Sequence, residues 1–320
     1  MDALEQKYQR LQDILTQFGS VAVAFSGGVD STFLLYAAQD TLGDNTLAVT
    51  AVTAALPQRE RQGAEAICAQ LGVRRLVYPL DVLALPAFQT NPPDRCYHCK
   101  KALLAGMLTL AQEAGFPPLV DGSNVDDTGD YRPGMRALAE LGIQSPLLAA
   151  GLTKGDIRAL SHRFHLPTWN QPSAACLASR IPYGEAITEE KLALVEQAEQ
   201  FLAGLGLTGL RVRLHGGNLA RIEVPPEQLE VVLTHRTGIV QTLTGLGCTY
   251  VTVDLAGYRM GSLNETLEKS GLRGNSAPIM VLQAVMRLSM TIAGSWQGTL
   301  SEPVAGVNRQ GSPVRHTFTR

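Results

Sequence analysis

No run of about 18 apolar residues occurs in the 320-residue chain, so no membrane-spanning helix is expected. Neither sign of charge is in large excess: 27 Lys and Arg stand against 29 Asp and Glu, for a net charge of −2. No global field therefore draws the chain to nucleic acid or to an anionic membrane, although local basic sites are allowed. Cysteine is sparse and odd in number: Cys68, Cys96, Cys99, Cys176 and Cys248. That count in a chain of this length argues against a disulfide framework and favours metal or reactive-thiol roles for any that cluster. The opening residues, Met1 to Lys7, lack a signal-peptide layout, and the expected location is the cytoplasm. No internal repeat is visible.

What is present is an ordinary enzyme-like composition, 45% hydrophobic and 18% charged, with length enough for about two domains. The most informative stretch is Ser26-Gly27-Gly28-Val29-Asp30-Ser31, which follows the apolar run Val21–Phe25. Its layout predicts a strand, a tight loop and a helix start. The glycines let backbone N–H groups approach an anion, and the helix N-terminus adds partial positive charge. Ser26 and Ser31 offer hydroxyls to phosphate oxygens. Asp30 repels phosphate directly, so its expected task is to hold Mg²⁺ against it. The spacing is neither Gly-x4-Gly-Lys-Ser/Thr nor Gly-x-Gly-x-x-Gly. It resembles the PP-loop of the ATP pyrophosphatase superfamily, which implies cleavage of ATP to AMP and pyrophosphate. The bland alternative is a Gly-Gly turn with an Asp-Ser cap.

Helices are expected over 5–18, 30–40, 57–71, 98–114, 133–141 and 154–165, and strands over 21–25, 46–53, 73–80 and 118–122. This alternation predicts an α/β fold, a parallel sheet with helices on both faces. The stretch 166–187, with Pro167, Pro172, Pro182 and Gly184 around Cys176, reads as an ordered junction loop. A helix over 188–204, strands over 210–215 and 220–224, a helical region and a strand over 249–255 predict a small α+β lobe. The expected domains are thus 1–170, the junction 171–187, the lobe 188–270 and an extension 271–320. In the extension an apolar helix is expected over 277–293, and Gly298–Arg320 reads as mobile.

Three further constellations carry chemistry. Cys96-Tyr97-His98-Cys99 is a Cys-x-x-Cys pair without a second such pair, and Cys176 lies in a loop hard to explain as packing. Three thiolates suit a 4Fe–4S cluster with one open iron; three thiolates plus His98 suit zinc; a redox pair beside a nucleophile is the third reading. Cys68 and Cys248 read as core residues. Asp121-Gly122-Ser123-Asn124-Val125-Asp126-Asp127 ends a predicted strand and suits Mg²⁺ or nucleotide contacts, or else an Asx turn. Asp130-Tyr131-Arg132-Pro133-Gly134 adds a cation near the same edge. Lys100, Lys101 and Arg180 are candidates to neutralise phosphate. Arg211 and Arg213 share one strand face, Arg221 and Glu223 the next, and Arg259 follows the last strand. They suit an anionic substrate group or, equally, cross-strand Arg–Glu pairing on a solvated face.

Together, Ser26–Ser31, Asn91-Pro92-Pro93-Asp94-Arg95-Cys96-Tyr97-His98-Cys99-Lys100, the run from Asp121 to Gly134, Cys176–Gly184 and Gly257–Asn264 resemble the LarE family over roughly residues 5–270. The resemblance implies a sulfur insertase that makes the nickel-pincer nucleotide used by lactate racemase and related enzymes. ATP would be bound by Ser26, Gly27, Gly28, Asp30, Ser31, Asn124, Asp127, Lys101 and Arg180, with Mg²⁺ on Asp30. The carboxylate of a pyridinium dicarboxylate mononucleotide would be adenylated, its phosphate held by Arg211, Arg213 and Arg259, and sulfur then inserted. The sulfur would come from Cys176 itself or, since Cys96 and Cys99 accompany it, from a 4Fe–4S cluster on all three. The resemblance also implies a homo-oligomer and transient contact with the nickel-insertion and carboxylase/hydrolase partners of the pathway. Competing readings are an amide-forming ligase such as an NAD synthetase, a tRNA thiolase, and a zinc-stabilised nucleotide-sensing module. The ligase leaves the cysteines unexplained, and the net charge counts against the thiolase.

Overall fold

The structure, a computed structural model, describes residues 2–259 apart from 130–132 and 173–174. The expected helix over 277–293, the extension that contains it, Ser173-Ala174 and Asp130-Tyr131-Arg132 lie outside the described residues.

The first half alternates as the apolar pattern requires: α1 (Ala3–Phe18), β1 (Val21–Ala24), α2 (Val29–Leu42), β2 (Thr46–Val52), α3 (Gln58–Leu71), β3 (Arg74–Pro79), the short α4 (Pro86–Gln89), α5 (Arg95–Glu113), β4 (Leu119–Val120), α6 (Pro133–Glu140), the short α7 (Pro146–Ala149) and α8 (Lys154–Arg163). The strands form a parallel sheet in the order β3-β2-β1-β4, with Val21 opposite Thr46 and Ala22 opposite Leu119. Alternate residues of β1 and β2 face opposite sides. Val21, Val23 and Ala48 pack with Leu11, Phe33, Ile157 and Leu160 of α1, α2 and α8. Ala22, Leu47 and Val49 pack with Leu104 and Met107 of α5 and Leu138 of α6. Both faces are therefore covered, which is why these strands are continuous apolar runs.

The chain runs outward from β1 to β3, then returns to place β4 on the other side of β1. This reversal opens a crevice beyond the carboxyl ends of β1 and β4, where α/β sheets bind ligands.

The second half gives α9 (Glu189–Gly204), β5 (Arg211–His215), β6 (Leu219–Glu223), α10 (Leu229–Thr234), α11 (Arg236–Gly245) and β7 (Tyr250–Val253). β5 and β6 are antiparallel, whereas β7 returns through two helices to lie parallel to β6. Val212, Leu214, Ala220 and Ile222 pack on Leu192, Val195, Ala198 and Leu202 of α9. Ala55, Phe88, Leu177 and Ile181 enter the same apolar cluster, so the junction loop is anchored by its own side chains.

Candidate functional site

The chain leaves the sheet after Phe25, whose N–H donates to Val49 O. Gly27 has φ +78°, and a Cβ there would stand 3.3 Å from Ala64 of α3, so the tight turn requires glycine. Gly28 caps α2 without any side-chain hydrogen bond to the helix, which leaves first-turn N–H groups for an anion. The hydroxyls of Ser26 and Ser31 lie 3.0 Å apart, and Ser31 Oγ also donates to Gly28 O at 3.2 Å. The loop is thus internally braced.

The end of β4 meets this loop. A Cβ on Gly122 would stand 3.0 Å from Ser31 N, so the two backbones touch only because residue 122 is glycine. Asn124 Nδ2 donates to Asp30 Oδ1 at 3.3 Å. Asp127 turns back to accept from Asn124 N, and Asp121 accepts from Ser123 Oγ and Ser145 Oγ. The run thus forms the Asx turns the sequence allowed, Asp126 N–H donating to Asn124 Oδ1 at 2.9 Å, and it also touches the loop.

Lys154, which the sequence did not single out, is the strongest partner of Asp30: its Nζ donates to Oδ2 at 2.5 Å. It opens α8, whose capping box joins Thr153 and Asp156, and its own N–H donates to Asp126 Oδ2. The Thr-x-x-Asp box at 153–156 marked that helix start, but nothing local says which carboxylate the lysine reaches. Lys101, by contrast, points to Glu140 and Tyr97 OH on the α6 side. Lys100 is the one that approaches Asp121, at 3.4 Å.

The Cys-x-x-Cys pair lies within the first two turns of α5, which begins three residues earlier than its periodicity suggested. Cys96 is exposed, Cys99 half-buried and Cys176 exposed. Burial pushes the Cys99 thiol up to about 12, and Cys176 and Cys96 push it the same way, while Arg95 opposes them. Cys176 is exposed, yet its thiol is also raised, chiefly by desolvation from the surrounding protein, against the pull of Arg95. The structure therefore brings the three thiols within electrostatic reach of one another. Among the described residues, no three His, Cys, Asp or Glu side chains stand positioned to hold a single metal ion. His98 faces Asp94 at 3.1 Å. Cys68 and Cys248 are core residues.

Arg180 is fully buried. Its Nε and Nη2 donate to the two carboxylate oxygens of Glu199, each at 2.9 Å, and Nη1 donates to Ala175 O and Cys176 O. It shapes the Cys176 loop instead of presenting its charge to the Ser26–Ser31 loop. Glu199 also accepts from Val212 N, tying the loop to β5.

The arginines of the second sheet form Arg–Glu pairs, but not on a solvated face. Glu223 is fully buried and accepts from Arg213 at one oxygen and Arg221 at the other, each at 2.9 Å. Arg213 Nη1 donates to Ser179 O in the Cys176 loop. Asp254 lies 3.8 Å from Arg221 and 3.9 Å from Arg259, and Arg211 stacks over Tyr258. Arg213 thus links the arginine lobe to the thiol loop.

A parallel sheet that reverses its strand order beside a Ser-Gly-Gly-Val-Asp-Ser loop and a helix N-terminus defines the class: an α/β enzyme of the PP-loop ATP pyrophosphatase type. No protein-family model matches the chain. It is 41% identical over 268 residues to an uncharacterised protein of Synechocystis, spanning 83% of this chain and all of that one. It is 37% identical over 273 residues to the pyridinium-3,5-bisthiocarboxylic acid mononucleotide synthase of Lactiplantibacillus plantarum, spanning 85% of this chain and 99% of that protein. A protein of Methanocaldococcus jannaschii, also uncharacterised, is 27% identical over 239 residues. On this similarity the chain belongs to the LarE family.

Proposed function

We propose that this enzyme activates a carboxylate of a pyridinium-3,5-dicarboxylate mononucleotide with ATP and converts it to a thiocarboxylate, a step in nickel-pincer nucleotide synthesis. The observation that carries this reading is the pairing of an anion-ready loop at the sheet's switch point with three thiols in mutual electrostatic reach.

A free carboxylate resists thiolation, because its charge repels a nucleophile and oxide is a poor leaving group. Attack of the carboxylate oxygen on the α-phosphorus of ATP forms the acyl-adenylate and breaks the bond to pyrophosphate. Attack of sulfur on the acyl carbon then expels AMP. Loop N–H groups, Ser26 and Ser31 bind the phosphates, and Asn124 orients Asp30. One carboxylate beside phosphates is the usual Mg²⁺ donor set, and the ion supplies charge neutralisation when bound. With Asp30 engaged by such an ion, Lys154 would be free to reach the phosphate oxygens. Arg211, Arg213 and Arg259 hold the phosphate of the mononucleotide.

The three thiols of Cys96, Cys99 and Cys176 suit a 4Fe–4S cluster with one open iron. Cys96, Cys99 and Cys176 would hold such a cluster, and it would present a sulfide taken up from solution to the acyl carbon, so that no side chain would be consumed. The enzyme works as a cytoplasmic homo-oligomer in contact with the other proteins of the pathway.

Anaerobic purification followed by absorption spectroscopy and iron and acid-labile sulfide analysis tests this. A brown protein that loses its colour in Cys176→Ala is expected. A colourless zinc protein would sink the cluster, and loss of the mass of hydrogen sulfide from Cys176 would show that the side chain is consumed. Absence of pyrophosphate release with the dicarboxylate and ATP would sink the activity.

A further inference from the structure

The junction loop that carries Cys176 is held by side chains that the reaction itself does not use. Asn91, fully buried and with φ +54°, directs its amide at Ile181 O, Pro182 O and Glu185 O, while its backbone carbonyl accepts from Gly184 N. Its Oδ1 accepts a short hydrogen bond from Arg95 Nη1. That same nitrogen donates to Ala178 O at 3.1 Å. Nη2 of Arg95 lies 3.8 Å from Cys96 Sγ, and the guanidinium sits over the Tyr183 ring.

Arg95 is only 4% exposed, and among the described residues no carboxylate pairs with it. A buried guanidinium ordinarily demands an anionic partner, because desolvating it costs several kcal/mol. Its neighbours here are neutral oxygens and a thiol. Had the site needed only a loop brace, the Asn91 amide already closes three of its carbonyls. Arg95 adds to that brace a link from the loop carbonyl of Ala178 to Cys96 Sγ.

We propose that Arg95, locked by Asn91, is the positioning residue of the thiol site: bonded to Ala178 O and placed against Cys96 Sγ, it holds the Cys176 loop to the first turn of α5. This rests on reading the three thiols as one site, but not on the sulfur-insertion chemistry.

The test is bifunctional thiol cross-linking with dibromobimane of the full-length protein, stripped of metal under argon and without ATP or substrate, with peptide mapping to separate the Cys96–Cys176 product from Cys96–Cys99. Arg95→Lys keeps the charge and loses the fork; Asn91→Gly keeps the left-handed backbone and loses the lock. Each is expected to lower the Cys96–Cys176 product about tenfold or more, since a displacement of about 1 Å strongly reduces reaction between positioned groups. The thermal midpoint is expected to fall as buried hydrogen bonds are lost, but at a temperature where each variant is folded, single labelling of Cys96 and Cys176 by monobromobimane should stay near wild type, which general unfolding would not allow. Wild-type cross-linking by either folded variant overturns the proposal. So does failure of both variants to fold, which would assign the pair to the fold alone. A wild-type protein that never joins Cys96 to Cys176 refutes the shared thiol site itself, whereas a protein that cross-links but inserts no sulfur leaves Arg95's role standing and removes only the reaction.

Discussion

Lys154 reaches Asp30 across 124 positions of sequence, Nζ to carboxylate at 2.5 Å. The lysine opens α8 and the aspartate sits in the first turn of α2, so two helix N-termini and one ion pair converge on the mouth of the loop. The pair is 30% and 26% exposed, and exposed or half-exposed pairs contribute little to stability. Its loss should therefore be read in activity more than in stability. Lys154→Met should lower ATP-dependent pyrophosphate release about 10²-fold with little change in the urea midpoint, the size expected for loss of one charge-stabilising group. Lys154→Arg should recover part of the rate. Unchanged pyrophosphate release in Lys154→Met would remove the lysine from the site.

Gly122 marks where β4 and the loop touch. In Gly122→Ala the new methyl meets Ser31 N at 3.0 Å and the Asp30 carbonyl carbon at 3.2 Å, both backbone atoms that cannot rotate away. The expected cost is about 1–3 kcal/mol of stability with a weaker grip on ATP, read by denaturation and by nucleotide titration. Gly63→Ala, in α3 with open space around it, should instead be neutral or stabilising by up to about 1 kcal/mol. Equal effects from the two would refute the packing argument.

Glu199 holds Arg180, and through it the Cys176 loop. Glu199→Ala leaves a fully buried guanidinium without its carboxylate, a loss expected to cost about 3–5 kcal/mol in urea unfolding. Pairing it with Arg180→Met should restore much of that stability but not the carbonyl contacts of Ala175 and Cys176. The double variant is thus expected to be folded yet impaired in sulfur transfer. Full activity in that variant would show that the loop needs no such brace.

His215, at the end of β5, titrates below its ordinary 6.5, because burial and the nearby Arg221 disfavour its charge more than Glu185 and Glu223 favour it. The unfolded chain therefore takes up the proton first as pH falls. Stability present above pH 6.5 should be lost on acidification, by at most about 1.4 kcal/mol per pH unit for this one group. His215→Gln should flatten the slope between pH 6.5 and 5. An unchanged slope would place the acid sensitivity elsewhere.

Much of the scaffold was legible from local pattern. The runs Val21–Phe25 and Thr46–Thr53 declared buried parallel strands, and Gly72 declared the end of α3, where it adopts φ +65°. The loop at Ser26–Ser31 was legible because its chemistry lies in six consecutive residues. Arg180 and Lys101 were not, since a cation's partner depends on which carboxylate the fold delivers. Arg180 met Glu199 and the loop carbonyls, and Lys101 met Glu140. The arginines of β5 and β6 were half legible: strand alternation placed Arg211 and Arg213 on one face, but not that the face is buried around Glu223.

By itself, then, the sequence determined the α/β class, the nucleotide loop and the three thiols, because backbone periodicity and short motifs are local properties. Only the tertiary structure decided that Lys154 answers Asp30, that Arg180 answers Glu199, and that Asn91 and Arg95 bond the carbonyls of the Cys176 loop. Charge pairing and loop closure are settled by distance in space, and residues 19, 83 or 124 positions apart acquire that distance only when the chain packs.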